Sequence, residues 1–138
     1  MAAEMSSSRV TLKRYDSLEE LLIDKDLAAL GDSYVNFVYS LAMSQKHRRP
    51  TGAKVNNQVL AEAVTKARLR KFLPHRVDRH ARGNAAEALL VFAWLSDLLE
   101  MDECTRVLSG EDDVAEAFAH LLRTVLDRLG VADEHKHG

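Results

Sequence analysis

A single cysteine, Cys104, leaves no partner for an intramolecular disulfide and rules out a cysteine-rich zinc site. Two prolines, Pro50 and Pro74, and six glycines are too few for a loop-dominated or fibrous chain. Aromatic residues make up only 6% of the 138 positions, with one tryptophan, which disfavours sheets built from aromatic and β-branched side chains. No apolar run approaches the ~20 residues needed to span a bilayer. Met1 to Val10 lack the apolar core of a secretory signal, so the expected location is the cytoplasm. There is no glycine-rich phosphate loop of either common type. The net charge of −2 gives no global bias toward nucleic acid.

What is present is the composition of one globular domain. Hydrophobic residues reach 46% and charged residues 29%, and the length suits a single core held without disulfides. Charge is unevenly spread. From Lys46 to Arg82 eleven Lys/Arg stand against two acids, Glu62 and Asp78, whereas the rest of the chain holds eight Lys/Arg against nineteen acids. A basic middle between acidic flanks can create a local positive surface; scattered, solvated helix faces explain the charge count equally well.

The apolar residues recur at helical spacing. Ser17 followed by Glu20 fits a capping box and predicts a short helix from Leu18 to Ile23. Asp24 or Asp26 can cap the next helix. In it Leu27, Leu30, Tyr34, Phe37, Val38, Leu41 and Ala42 recur every three or four positions as far as Ser44 or Gln45. A third helix is expected from Val55 to Arg70. A fourth, the most apolar and so the central one, is expected from Ala85 to Leu99. The acids Glu111 to Asp113 suit the start of a last helix, Val114 to Leu129, which Gly130 closes. The prediction is an all-α, single-domain bundle of five to seven helices over residues 17–130. A flexible arm, 1–16, precedes it and a flexible tail, 131–138, follows.

Two acids occupy positions where charge is expensive. Asp32 follows Leu27-Ala-Ala-Leu-Gly31, and Glu87 sits in Asn84-Ala-Ala-Glu-Ala-Leu-Leu. An unpaired carboxylate in such a setting costs several kcal/mol or shifts its pKa, so each wants a cation, a donor or a metal. Pairing with an arginine is the ordinary solution for one such acid. Two of them on two helices, with Asn84 one turn before Glu87, suggest oxygen ligands for a hard cation. Gly31 beside Asp32 would let another backbone approach closely. The histidines His47, His75, His80 and His120 share no metal-binding spacing on one predicted helix, and His135 and His137 fall in the tail. Cys104 reads as a packed thiol, and Ser33 as a hydroxyl bonding locally.

Leu27-Ala-Ala-Leu-Gly-Asp-Ser33 resembles the first signature of the ribonuclease III family, and Asn84-Ala-Ala-Glu87-Ala88 resembles its second, Asp-x-x-Glu-Ala. The two motifs are just over fifty residues apart, and Thr51 to Leu69 is similar to the segment between them, so the likeness covers about residues 17–100. The resemblance implies a ribonuclease III-like fold and a homodimer acting on double-stranded or structured RNA, with ribosomal RNA precursors as one such substrate. It implies Mg²⁺ (or Mn²⁺) held by Asp32 and Glu87, the catalytic acids, with Asn84 assisting. Hydrolysis would leave 5′-phosphate and 3′-hydroxyl ends. Lys46, Arg48, Arg49, Arg76, Arg79 and Arg82 would contact the RNA backbone. Like the Mini-ribonuclease III group, the chain resembles a catalytic domain alone. It departs from the family pattern at three positions. The acid one turn before Asp32 is Ala28, the acid further upstream is Lys25, and the aspartate of the second motif is Asn84. Those losses support an alternative: a catalytically inactive RNA-binding or ribonucleoprotein component on the same fold. A helical interaction module without RNA is the third reading.

Overall fold

The computed structural model describes residues 3–4 and 13–131. The rest of the expected arm, and the tail beyond Val131 with His135 and His137, lie outside the described residues. Among the described residues there are six α-helices: α1 Leu18–Leu22, α2 Lys25–His47, α3 Asn57–Lys66, α4 Arg79–Leu95, α5 Met101–Gly110 and α6 Val114–Leu129. The all-α expectation holds. A two-residue strand pair, β1 (Ala3–Glu4) antiparallel to β2 (Arg14–Tyr15), precedes the helices.

Local chemistry sets most helix ends. Ser17 Oγ accepts the Glu20 amide at 3.1 Å, and Asp24 Oδ1 accepts the amides of Asp26 and Leu27 at 3.0 and 3.1 Å. Asp113 caps α6 through Glu116 N, and Gly130 ends it in the left-handed conformation at φ 77°. Asp24 serves a second purpose. Its Oδ2 accepts the Tyr15 hydroxyl at 2.5 Å, and the Tyr15 ring meets Phe92 edge-on at 6.2 Å. Tyr15 is thereby buried, in a stretch where the sequence shows no periodicity.

Two helices differ from their expected spans. α3 stops at Lys66, not Arg70, because Arg68 turns the chain in the left-handed conformation (φ 62°) and a 3₁₀ turn, Arg70–Phe72, follows. α4 begins at Arg79, six residues before Ala85, because Asp78 accepts the Ala81 amide at 2.8 Å. The polar run Arg79 to Asn84 is therefore helix and not loop. It escapes apolar periodicity because this first part of α4 passes along the surface.

From Ala85 to Ala93 every residue of α4 is buried. The helix is the hub, packed against α1, α2, α3 and α6, with α5 completing the bundle against α2 and α6. Tyr34 stacks on Trp94 at 5.4 Å and lies 3.6 Å from the Cys104 sulfur. Burial pushes that thiol up to about 11, so Cys104 is a packed side chain and not a nucleophile.

Candidate active-site cleft

The geometry of the cleft begins with a glycine. A Cβ placed on Gly31 of α2 would collide with the carbonyl oxygen of Glu87 on α4 and lie 3.0 Å from its Cβ. Here the two backbones touch, as the sequence suggested for Gly31, and Asp32 is carried to the side of Glu87. The two carboxyl groups share a hydrogen bond. The Glu87 acid is pushed up to about 8, first by burial, then by that bond and the charge of Asp32. At neutral pH Glu87 therefore favours its protonated form, which can donate to Asp32.

The acids differ in setting. Glu87 is only 6% exposed, as expected, whereas Asp32 is exposed. The expectation of an apolar environment for Asp32 is corrected. Its sequence neighbours Leu27, Gly31 and Tyr34 lie on another side of the helix, since consecutive residues are turned by about 100°. Asp32 shares its own side with Lys25, Ala28, Ala29 and Asn36.

Asn36, one turn beyond, fixes Asp32 in place. Its Nδ2 donates to Asp32 Oδ1 at 3.2 Å while its Oδ1 accepts the amide of Val55 at 2.8 Å. It begins a ladder. Ser40 Oγ donates to the Ala53 carbonyl and accepts its amide, both at 2.9 Å, and Ser44 Oγ accepts the Thr51 amide at 2.8 Å. Three polar side chains at four-residue intervals thus clamp the segment 51–55 along α2, satisfying backbone groups that no regular ladder serves. The clamp delivers Val55 and Asn57 as a further wall of the site.

The result is an open cleft of about 560 Å³ lined by Lys25, Ala28, Ala29, Asp32, Val55, Asn57, His80, Asn84 and Glu87. Asp32, Asn84 and Glu87 are brought together. So are the other two departures, Lys25 and Ala28, which stand in its wall where the family pattern has acids. Gly83 makes room for Asn57, whose amide fills the space a Cβ would take. Asn57 and His80 were not singled out from sequence as site residues. His80, Asn84 and Glu87 follow at intervals of four and three, so the signal for His80 existed once α4 was known to start at Arg79.

The basic residues are not all near. Arg79 opens α4, and Arg82, half-buried, donates to the Val77 carbonyl at 3.1 Å. Arg76 lies on the loop before α4 in the left-handed conformation (φ 64°). Lys46, Arg48 and Arg49 stand at the far end of α2, about 20 Å along the helix from Asp32. Lys46 there faces Asp112 at 3.5 Å.

Among the described residues no three His, Cys, Asp or Glu side chains gather into a group that could hold a metal. A cation here would rest on two carboxylates, with the neutral side chains of Asn84 and Asn57 lining the same cleft. That donor set fits Mg²⁺, which is commonly held by one or two carboxylates and keeps several waters. No helix of the described residues is long and apolar enough to cross a membrane.

No curated protein matches the chain. The family model described as Ribonuclease III matches residues 25–131, from the first residue of α2 to just past α6, and so spans both acid-bearing helices and the whole cleft. By this match the chain belongs to the ribonuclease III family.

Proposed function

We propose that the protein is an endoribonuclease that hydrolyses double-stranded or structured RNA, such as ribosomal RNA precursors, in the cytoplasm, using Mg²⁺ or Mn²⁺. The observation that carries this reading is the convergence of Asp32, Asn84 and Glu87, from two helices, in one cleft that also holds the amide of Asn57. Asp32 and Glu87 are the catalytic acids and, with Asn84, the cation's ligands. Bound there, the cation would supply positive charge to the phosphate in the transition state and make water more acidic. The protein's own groups do the rest. Glu87 gives up its proton when a cation takes the proton's place, and Asn36 keeps Asp32 from turning away. Lys25 brings an ammonium group toward the phosphate oxygens from the α2 side. Water attacks phosphorus, the bond to the 3′-oxygen breaks, and 5′-phosphate and 3′-hydroxyl ends result.

Lys25, Ala28 and Asn84 favour a second reading, an RNA-binding component that does not cut. Incubating a long double-stranded RNA with Mg²⁺ or Mn²⁺ separates the two. Wild type is expected to cleave it, and Glu87→Ala to lose at least about a hundredfold in rate while its circular dichroism stays helical. Wild-type binding without cleavage would establish the second reading, and neither binding nor cleavage would remove both.

The same reading gives a homodimer. Leu30 and Phe37 are 44% and 55% exposed, although the sequence places them in one apolar pattern with Tyr34 and Val38. They lie seven residues apart on α2 and therefore stack along one stripe, with Ile23, 56% exposed, at the turn before it. A second copy related by a two-fold axis would cover this self-complementary surface. Light scattering is expected to give twice the chain mass for wild type and the chain mass for Leu30→Glu/Phe37→Glu. A wild-type monomer at micromolar concentration would rule the dimer out.

A further inference from the structure

The cleft does not end at Asn57 and His80. A second depression shares both side chains and adds Gln58 and Arg79. A third shares Gln58 and Arg79 and adds Thr65 and Arg82. A fourth shares Thr65 and is walled by Arg68, Arg70 and Lys71. Joined in this way, the four form one furrow that follows α3 from its first turn past its last. The ten residues of α3 and the turn beyond it give a run of about 20 Å.

Charge along this run is one-sided. Among the described residues, five cationic side chains line it beyond His80, against two acids, Asp78 and Glu62. Both acids are already engaged: Asp78 caps α4 through Ala81 N, and Glu62 lies 4.0 Å from the Lys66 ammonium group. The cations are positioned and not merely present. Arg82 is tied to the Val77 carbonyl, and Arg79 donates to Gln58 Oε1 at 3.4 Å. Arg68 holds φ 62° at the end of α3, a conformation ordinarily left to glycine, so a long charged side chain is kept where the backbone disfavours any side chain. Asn57, Gln58 and Thr65 place neutral donors and acceptors between the cations, as ribose hydroxyls require. Past His80 the only apolar lining residue among those described is Ala61, which suits a polyanion and not an amphipathic peptide.

We propose that this furrow carries the sugar–phosphate backbone of one RNA strand away from the candidate active site, with Arg68, Arg70 and Lys71 as its distal phosphate anchor. The inference rests on the endoribonuclease reading above and adds to it a direction and a length. About 20 Å spans only a short run of successive phosphates of one strand.

Fluorescence anisotropy of a labelled RNA hairpin of about 20 base pairs, in EDTA and over a range of salt, tests it. Wild type is compared with Arg68→Gly/Arg70→Gln/Lys71→Gln. Arg68→Gly removes the guanidinium and the left-handed strain together, and circular dichroism with the unfolding midpoint checks that the variant compared is folded. The variant is expected to bind about tenfold more weakly at low salt, with the slope of log K against log salt reduced in magnitude by about 2. A wild type that binds while the folded variant matches it in affinity and slope would overturn the furrow and leave the endoribonuclease reading standing. A wild type that binds no RNA even at low salt would overturn both. A poly-glutamate peptide that competes as well as RNA would overturn the assignment to a nucleic-acid backbone.

Discussion

Glu87→Gln is expected to match wild type in stability near pH 4.5 and to exceed it at pH 9, by on the order of 3–5 kcal/mol at about 1.4 kcal/mol per pKa unit. The measurement is urea unfolding with EDTA present. In the folded protein the Glu87 acid is raised from 4.5 to about 8 by burial, by its bond to Asp32 and by that carboxylate's charge. Between those two values the folded chain holds a proton that the unfolded chain has released. Wild-type stability therefore falls as pH rises through this window and levels off above it. Glutamine is neutral at every pH and can donate to Asp32 as the protonated acid does, so the variant lacks this loss. The same substitution is expected to suppress cleavage, because an amide cannot give up a proton to become a charged ligand. Stability curves for the two proteins that run parallel from pH 5 to 9 would mean that Glu87 is already ionised in the folded state, and the raised acid would have to be abandoned.

Gly31→Ala is expected to destabilise the protein by about 3 kcal/mol or more, although alanine is the better helix former by roughly 1 kcal/mol. The sign follows from what the added methyl meets. It would reach the Glu87 backbone, with the carbonyl carbon at 2.5 Å, and neither the α2 nor the α4 main chain can step aside as a flexible side chain could. Separating the helices would loosen the buried Ala85–Ala93 run and pull Asp32 from Glu87, so cleavage should fall with stability. Gly110→Ala is the matched control. A Cβ there meets nothing within 4 Å, and the variant should unfold at or slightly above the wild-type midpoint. A Gly31→Ala protein as stable as wild type would show that the helices do not cross at this point.

Much of this is legible in the amino-acid sequence. The last helix and its glycine stop, the capping by Ser17, the central place of the Ala85 region and the close approach at Gly31 all rest on short-range rules or on one strongly apolar segment. Other features were not. The start of α4 at Arg79 was hidden because its first turns are polar, and apolar periodicity cannot report a helix that runs along the surface. Asp32 was expected among apolar neighbours, but neighbours in sequence point to different sides of a helix. Leu30 and Phe37 fit the same apolar pattern as the core residues, yet that pattern was wider than the surface α2 has to bury. Nothing in the residue types announced that Asn36, Ser40 and Ser44 would clamp the segment 51–55.

The sequence by itself determined the helical class, most of the caps, and the two motifs whose acids are brought together. These depend on propensity, hydrogen bonds between near neighbours and the amount of apolar surface to be buried, all of which a linear chain carries. Only the tertiary structure decided which groups share the cleft. Lys25 and Ala28 arrive from one helix, His80 and Asn84 from another, and Asn57 is held in place by the clamp on α2. It also decided that Glu87 would be buried against Asp32, which pushes its acid up. That outcome depends on the angle and closeness of two helices at Gly31, which arise from packing between residues far apart in the chain.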